Sequence, residues 1–218
     1  MTDDIRLVVL DFDGTMADTR HIIVKTMRQT IEHMQLEPRT EQQLASMIGL
    51  PLKESFLRLH PISEQQAEEC ATAYRRIFET NNTAGAVTLF PHVENTLRTL
   101  HAAGKTLTIA SSRNHSSLRG FVDSMHIDDI ISYMLGADDT AIHKPEPEPV
   151  LRTLRDLGFC AGQTIVVGDT DYDICMGRNA GTLTCGVTYG NGTRESLHQA
   201  GADYIIDDFA QLAHIILK

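Results

Sequence analysis

Short apolar runs alternate with segments of helical periodicity over much of the chain. The first run covers residues 5–10 and is interrupted only by Arg6, a pattern typical of a strand covered on both faces. Similar runs predict strands at residues 106–110, 164–167, 182–187 and 204–206. Apolar residues at helical spacing predict helices at residues 93–103, 116–125, 149–157, 174–180 and 209–217. This alternation predicts an α/β fold with a doubly wound parallel sheet.

The stretch from residue 16 to residue 86 shows helix signatures and no convincing strand. Thr40 and Ser63 each stand three positions before a Gln, which is the form of a capping box. After the second box, apolar residues recur at helical spacing: Ala67, Cys70, Ala71, Tyr74, Ile77 and Phe78. We predict a small α-helical cap domain at residues 16–86, inserted into a core of residues 1–15 and 87–218, with connectors at residues 13–15 and 83–85. An insert leaving the first strand would cover the ligand-binding edge of the sheet as a lid.

Composition narrows the classes of partner. The formal net charge of −10 and the pI near 5.4 disfavour nucleic acid and anionic membranes, and no basic run offsets them. The N-terminus is acidic, and no stretch reaches the length of a signal peptide or a membrane span. The four cysteines form no CxxC pair, which favours reduced thiols. We expect a cytoplasmic protein, either a monomer or a homodimer.

Polar residues follow several predicted strands directly. Asp11 and Asp13 follow the first strand, Ser111 and Ser112 follow residues 106–110, and residues 168–173 (Gly-Asp-Thr-Asp-Tyr-Asp) follow residues 164–167. Parallel strands bring these ends to one edge of a sheet, so several carboxylates should converge there. Crowded carboxylates repel one another unless a cation separates them, and hard oxygen ligands suit Mg²⁺.

Four motifs in order give a resemblance to a known family. Asp11-Phe12-Asp13-Gly14-Thr15, then Ser111, then Lys144 before Pro145, then Gly168-Asp169 with Asp173, resemble the motifs of the haloacid dehalogenase-like hydrolases. The resemblance covers most of the chain, and the helical insert lies where that family has its mobile cap. It implies a Rossmann-like core and a phosphoric monoester hydrolase that acts on a small phosphorylated metabolite with Mg²⁺.

The resemblance also implies a role for each motif residue. Asp11 would be the nucleophile and Asp13 the general acid and base. Lys144 and Ser111, with Ser112 beside it, would bind the phosphoryl group. The expected metal-binding residues are Asp11, Asp13 through its backbone carbonyl, Asp169 and Asp173.

Several of these polar residues also have a purely structural interpretation. Ser112 is predicted to cap the helix that follows it, and Asp18 to be the N-cap of the first cap helix. Asp171 is predicted equally well as a ligand or as an acidic residue in the first turn of a helix.

The substrate is less well defined. Lys53 and Arg58, near the turn at residues 48–52, are the cap residues predicted to contact it. That turn resembles phosphoglycolate-phosphatase-like members, so a small phosphorylated acid is the first expectation, with pyrophosphate or a sugar phosphate as alternatives. Asp13 disfavours a dehalogenase, and Ile23, where a phosphomutase is expected to have its cap histidine, disfavours a mutase. A phospho-accepting regulatory module is a more remote alternative.

Overall fold

Six parallel strands form the central sheet of the computed structural model, which describes residues 4–217. Two further strands of two residues each pair separately. In chain order the strands are β1 (Leu7–Leu10), β2 (Ala17–Asp18), β3 (Thr88–Leu89), β4 (Thr106–Ala110), β5 (Ile131–Leu135), β6 (Thr164–Gly168), β7 (Leu183–Val187) and β8 (Tyr204–Ile206).

Ten α-helices are present among the described residues. Those before β3 are α1 (Arg20–His33), α2 (Glu41–Ala45), α3 (Leu52–Leu59) and α4 (Glu64–Asn81). Those after it are α5 (Val93–Ala102), α6 (His115–Ser124), α7 (Glu148–Leu157), α8 (Asp171–Asn179), α9 (Arg194–Gln199) and α10 (Gln211–Ile216).

Strand β1 lies at the centre of the sheet, whose order is β5-β4-β1-β6-β7-β8. The chain adds β4 and β5 on one side of β1 and then returns to the other side for β6, β7 and β8. Leu10 lies in register with Ile109 of β4 and Val167 of β6. The carboxyl ends of these three strands are therefore level, and they meet at the topological switch point, where ligands bind in open α/β sheets.

Both faces of β1 are buried, which explains its unbroken apolar run. Val8 and Leu10 pack into the larger hydrophobic cluster, whereas Leu7 and Val9 face a second cluster on the opposite side of the sheet. The larger cluster continues into the segment of α1 to α4 and includes Phe78. The doubly wound parallel sheet predicted from the sequence is thus present.

The segment between β1 and β3 is helical, apart from β2. Helix α1 packs against α2 and α4, and α3 packs against α4. Both predicted capping boxes are formed, by Thr40 with Gln43 and by Ser63 with Gln66. These boxes fix the starts of α2 and α4, because each satisfies backbone donors at the N-terminus of its helix.

A two-stranded clasp closes the base of this helical segment. β2 pairs with β3 in antiparallel fashion, with Ala17 opposite Leu89 and Asp18 opposite Thr88. The expectation of no strand near residue 16 was therefore wrong. The predicted N-cap at Asp18 was also wrong: Asp18 belongs to β2, and the N-cap of α1 is Thr19.

Three elements of the core were not predicted: the two-residue strand β3, the edge strand β5 and the short helix α9. The other core elements agree with the expected ranges to within three residues at either end. Over residues 4–217, no helix combines the length and the apolar character needed to cross a membrane.

Candidate active site

The ends of β1, β4 and β6 place the candidate residues side by side. The Asp11 backbone N–H donates to Val167 O at 2.9 Å, which extends the β1–β6 ladder by one residue. Ser111 follows β4 and donates its backbone N–H to Leu135 O of β5 at 2.9 Å. Asp169 follows β6 in the same way. Strands that are neighbours in the sheet thus bring Asp11, Ser111 and Asp169 to one edge of it.

Lys144 lies among the acidic residues and neutralises part of their charge. Its Nζ donates to Asp11 Oδ1 at 2.5 Å and to Asp173 Oδ1 at 2.6 Å. The three side chains are only 2–6% exposed. Asp173 also caps α8, because its Oδ2 accepts from the Thr170 N–H and hydroxyl. The loop that carries Lys144 is therefore tied directly to β1 and α8.

Burial and mutual repulsion make the carboxylates reluctant to ionise. Burial raises the pKa of Asp11 well above its usual range; Lys144 opposes this shift, and Asp173 and Asp169 add to it. Burial and the neighbouring Asp173 raise the pKa of Asp169 to about 7, although hydrogen bonds from Asn191 and Thr15 act in the other direction. Burial opposes the Lys144 charge, but Asp11 and Asp173 outweigh it and raise the Lys144 pKa. The site therefore favours bound positive charge.

The acidic cluster fits a divalent cation. One oxygen from each of Asp11, Asp169 and Asp173 lies within 4.8 Å of the others, and all three residues are buried. Three buried carboxylates with a single lysine between them leave negative charge uncompensated, and burial together with that repulsion raises the pKa values of Asp11 and Asp169. Oxygen-only donors of this kind are the ligands preferred by Mg²⁺.

Asp13 points to a different partner, which the sequence did not reveal. Arg113 donates Nη2–H to Asp13 Oδ1 at 2.6 Å and Nε–H to Asp13 Oδ2 at 3.2 Å. The guanidinium carbon lies 4.9 Å from the ring centroids of both Phe78 and Phe121. Phe78 belongs to α4 and Phe121 to α6, so Arg113 joins the general-acid candidate to both halves of the molecule.

Asn191 is a second residue that the sequence did not indicate. Its backbone N–H and its Nδ2 both donate to Asp169 Oδ2, at 2.6 and 2.9 Å. Thr15 donates to the other oxygen, Oδ1, at 3.1 Å. Gly14, with φ of +90°, allows this close packing, because a Cβ there would collide with Asn191 and with the Asp169 carboxyl group. Asp169 is therefore held in a fixed orientation.

The two serines after β4 have different partners. Ser111 is buried, and its Oγ accepts from the Arg113 N–H at 3.2 Å, which leaves the hydroxyl proton free for another acceptor. Ser112 Oγ donates to Gly49 O at 2.6 Å, across to the helical segment. The prediction that Ser112 caps the next helix was wrong, since Asn114 is the N-cap of α6.

The predicted cap residues separate in the structure. Lys53 lines the cavity above the site, but its Nζ forms an ion pair with Glu64 at 2.6 Å. Arg58 is not among the cavity-lining residues; it donates to Tyr172 Oη at 2.9 Å and pairs with Glu54. Asp171 is exposed at the first position of α8, as expected for a first-turn acid.

Sequence comparisons identify the relatives of this chain. A sequence model of the haloacid dehalogenase-like hydrolases matches residues 8–187. IndB of Dickeya dadantii, which is named as a phosphatase, is 31% identical over 97% of this chain and 95% of its own. The pyrophosphatase PpaX of Oceanobacillus iheyensis is 31% identical over 97% of both chains.

Solved structures give the same result. A haloacid dehalogenase-like hydrolase from Bacteroides fragilis superposes with a TM-score of 0.90 at 28% identity, covering 95% of this chain and 99% of the other. A protein from Haemophilus somnus, described as a predicted phosphoglycolate phosphatase, gives 0.85 at 25% identity and covers 99% of both chains.

The doubly wound sheet with acidic residues at its switch point places the protein in the α/β class, and the matched family identifies it as a hydrolase. The chain belongs to the haloacid dehalogenase-like hydrolase family. It is a phosphatase of that family, as the sequence predicted.

Proposed function

We propose that this phosphatase is Mg²⁺-dependent and hydrolyses the phosphomonoester of a small metabolite through a phosphorylated Asp11. The observation that carries the proposal is the buried group of Asp11, Asp169 and Asp173 around Lys144. Phosphoryl transfer needs positioning and charge neutralisation above all. A lysine placed beside a nucleophilic carboxylate, next to a site suited to a cation, supplies both.

The reaction has two steps. In the first, an Asp11 carboxylate oxygen bonds to phosphorus while the bond from phosphorus to the ester oxygen breaks. Asp13 donates a proton to the departing oxygen, so the alcohol leaves in its neutral form. In the second, water attacks phosphorus, Asp13 accepts a proton from that water, and the bond to Asp11 breaks to release phosphate.

Lys144 and Ser111 are proposed to bind the phosphoryl oxygens. The Lys144 charge is maintained by Asp11 and Asp173, which raise its pKa despite its burial. The Ser111 hydroxyl is buried directly after β4, one residue beyond the position opposite Asp11, and retains a donor proton. A buried cation is worth more to a phosphoryl group than one in water, because the surroundings screen it less.

Mg²⁺ would be held by Asp11, by Asp169 and by the backbone carbonyl of Asp13, with Asp173 acting directly or through water. When bound, the ion neutralises the negative charge shared by the carboxylates and the phosphoryl group. Asn191 and Thr15 would then keep Asp169 oriented toward it, because their donors occupy fixed positions on that carboxylate.

Three kinds of phosphorylated compound are candidate substrates. A phosphoglycolate-like acid is the first of them, and the name of the Haemophilus somnus structure supports it. Pyrophosphate is supported by the names of the PpaX relatives. A sugar phosphate is the third candidate. A phosphomutase is disfavoured, because Ile23 stands where its cap histidine is expected and offers no imidazole to the cavity above the site.

A metabolite panel assayed with and without Mg²⁺ tests the function directly. It should contain p-nitrophenyl phosphate, phosphoglycolate, pyrophosphate and several sugar phosphates, with phosphate release as the readout. We expect turnover that disappears when the metal is chelated. Asp11→Asn should lower kcat by about 10³-fold or more, because the nucleophile is lost. Asp128→Asn, at an exposed carboxylate after α6, is the matched control and should retain full activity.

The same variants separate an enzyme from a regulatory module. A phospho-accepting module would form a stable phosphorylated Asp11 and release no phosphate over repeated cycles. Substantial activity in Asp11→Asn would contradict the nucleophile assignment, whatever the substrate.

A further inference from the structure

A large chamber separates the Asp11 and Asp13 carboxylates from the helices α1, α3 and α4. Its volume is ≈ 950 Å³. Pockets of roughly 300–1,000 Å³ hold organic molecules of drug size, so this chamber lies near the top of that range. Glycolate or a second phosphate group would leave most of the chamber filled with water alone.

Apolar side chains make up a large part of the chamber wall. They come from the helical segment and from α6, and they include Ile23, Met27, Ile48, Leu50, Phe78 and Phe121. Hydroxyl groups of Ser116, Ser117 and Ser124 lie along α6 in the same wall. Such a wall favours an organic group that is apolar in part and carries a few hydrogen-bonding atoms.

The charges in the chamber disfavour a second anionic group. Each of the three lysine and arginine side chains in the wall already pairs with a carboxylate of this chain. Arg113 pairs with Asp13 at 2.6 Å, Lys53 with Glu64 at 2.6 Å and Arg75 with Glu68 at 3.4 Å.

The first pair is buried, whereas the other two are exposed and therefore weak. Asp11 is paired with Lys144 at 2.5 Å and Asp13 with Arg113, so Glu79 and Asp138 are the wall carboxylates that no lysine or arginine of the described residues pairs with. An anionic leaving group would therefore meet two carboxylates and no unpaired lysine or arginine in the wall.

We propose that the alcohol released from the phosphoryl group is uncharged, partly apolar and considerably larger than glycolate. This inference rests on the proposed phosphatase function, and among the candidate substrates it favours an uncharged ester over phosphoglycolate and pyrophosphate. The phosphoryl group would lie at Lys144 and Ser111, and the alcohol portion would occupy the chamber beneath α1 and α4. Burying the apolar part of the alcohol against the wall would favour binding, because apolar surface is removed from water.

A matched pair of esters tests the charge requirement. 2-Phenylethyl phosphate and 2-(4-carboxyphenyl)ethyl phosphate differ by one carboxylate at the end remote from phosphorus, and phosphoglycolate completes the set. We expect kcat/KM for the uncharged ester to exceed that for both acids by about tenfold or more. Equal or faster turnover of either acid would overturn the inference and leave the phosphatase function intact. Failure to turn over any ester, p-nitrophenyl phosphate included, would overturn the proposed function itself.

Gly120 offers a test of where the alcohol lies. It lines the chamber on α6, and a Cβ built there meets no atom within 4 Å. Gly120→Leu should lower kcat/KM for 2-phenylethyl phosphate about tenfold relative to ethyl phosphate, because the added side chain takes up room in the chamber. Gly120→Ala is the control, and its ratio of the two esters should stay close to that of the unaltered protein.

Both substitutions favour the helical conformation, so folding should survive, and thermal melts check this. An equal effect of Gly120→Leu on the two esters would contradict placement of the alcohol in the chamber.

Discussion

At the scale of single residues, the pairing of Arg113 with Asp13 determines where the proposed proton donor lies. Two hydrogen bonds hold the carboxylate, and two aromatic rings hold the guanidinium. A planar guanidinium fixes a carboxylate in orientation as well as in position. Arg113 therefore acts on Asp13 as a positioning residue.

The leaving group reveals whether this positioning matters. Arg113→Gln should slow turnover of an alkyl phosphate by about tenfold or more, since a well-placed general acid contributes 10²–10⁴-fold. Turnover of p-nitrophenyl phosphate should fall much less, because its leaving group departs without a proton. Arg119→Gln, on the exposed side of α6 and paired with Asp123, serves as the control. Equal losses for the two esters would indicate a purely structural role for Arg113.

Asn191 provides a second prediction at this scale. Asn191→Ala removes the Nδ2 donor to Asp169 and leaves the backbone donor in place. We expect the Mg²⁺ concentration for half-maximal activity to rise about 10–100-fold, the usual effect of losing a residue that orients a metal ligand. Asn95→Ala, on the exposed side of α5, is the control. An unchanged Mg²⁺ dependence would show that the Asn191 backbone N–H and the Thr15 hydroxyl suffice to hold the carboxylate.

The sequence indicated some of these residues and not others for a physical reason. Asp11, Asp13 and Asp169 stand directly after apolar runs, so the strand pattern alone brings them to one edge. Arg113 lies in the loop between β4 and α6 and acquires its role from Phe78 of α4, which is 35 positions earlier in the chain. Asn191 reaches Asp169 from a loop 22 residues further on. Tertiary contacts of this kind have no local signature.

At the scale of secondary-structure elements, two hydrogen bonds join the helical segment to the core above the site. Ser112 donates to Gly49 O, and Arg58 donates to Tyr172 Oη. Both contacts lie on the turn and helix that were expected to contact substrate. They hold the segment at residues 47–58 against β4 and α8.

Removing the shorter contact should loosen this segment without affecting the metal-binding residues. Ser112→Ala removes one hydrogen bond, and a net value of about 1 kcal/mol corresponds to roughly fivefold faster amide exchange. We expect that increase for residues 47–52, measured by hydrogen exchange, with an unchanged Mg²⁺ dependence. Ser111→Ala is the contrasting variant, because it should lower kcat and leave exchange at residues 47–52 unaltered. A slower chemical step in Ser112→Ala would instead favour phosphate binding by that hydroxyl.

Secondary-structure elements were predictable where burial produced a clear pattern of apolar residues. β1 and β6 are buried along their whole length and gave unbroken apolar runs. β5 lies at the sheet edge, and only one of its five residues is fully buried, so its pattern was weak. β2 and β3 contain two residues each, too few for any period.

At the scale of the whole molecule, the buried acids link stability to pH and to metal. The pKa of Asp169 in the folded protein is about 7, above the ordinary 3.8, because of burial and Asp173. In the metal-free protein its contribution to stability is fully present below pH 4 and is lost as the pH rises through 7. Asp11 shifts in the same direction.

Mg²⁺ should therefore stabilise the protein more at high pH than at low pH. At pH 8 and a concentration 100 times its dissociation constant, the ion should add about 2.7 kcal/mol to the free energy of unfolding. At pH 5 the gain should be much smaller, because protons compete for the same oxygens. Urea unfolding with Mg²⁺ or with a chelator, followed by circular dichroism, measures both values. Equal gains at the two pH values would contradict the linkage, and Asp169→Asn should abolish most of the difference.

The clasp of β2 and β3 brings the entry to and the exit from the helical segment together. Ala17 lies opposite Leu89, so the 71 residues between them depart from and return to one point on the core. We expect that a segment with a different specificity could be transplanted at this junction, since the graft has to match the spacing of a single strand pair. Replacing the helical segment between β2 and β3 with that of a relative should then change the substrate selectivity, while the residues after β1, β4 and β6 retain the phosphoryl chemistry.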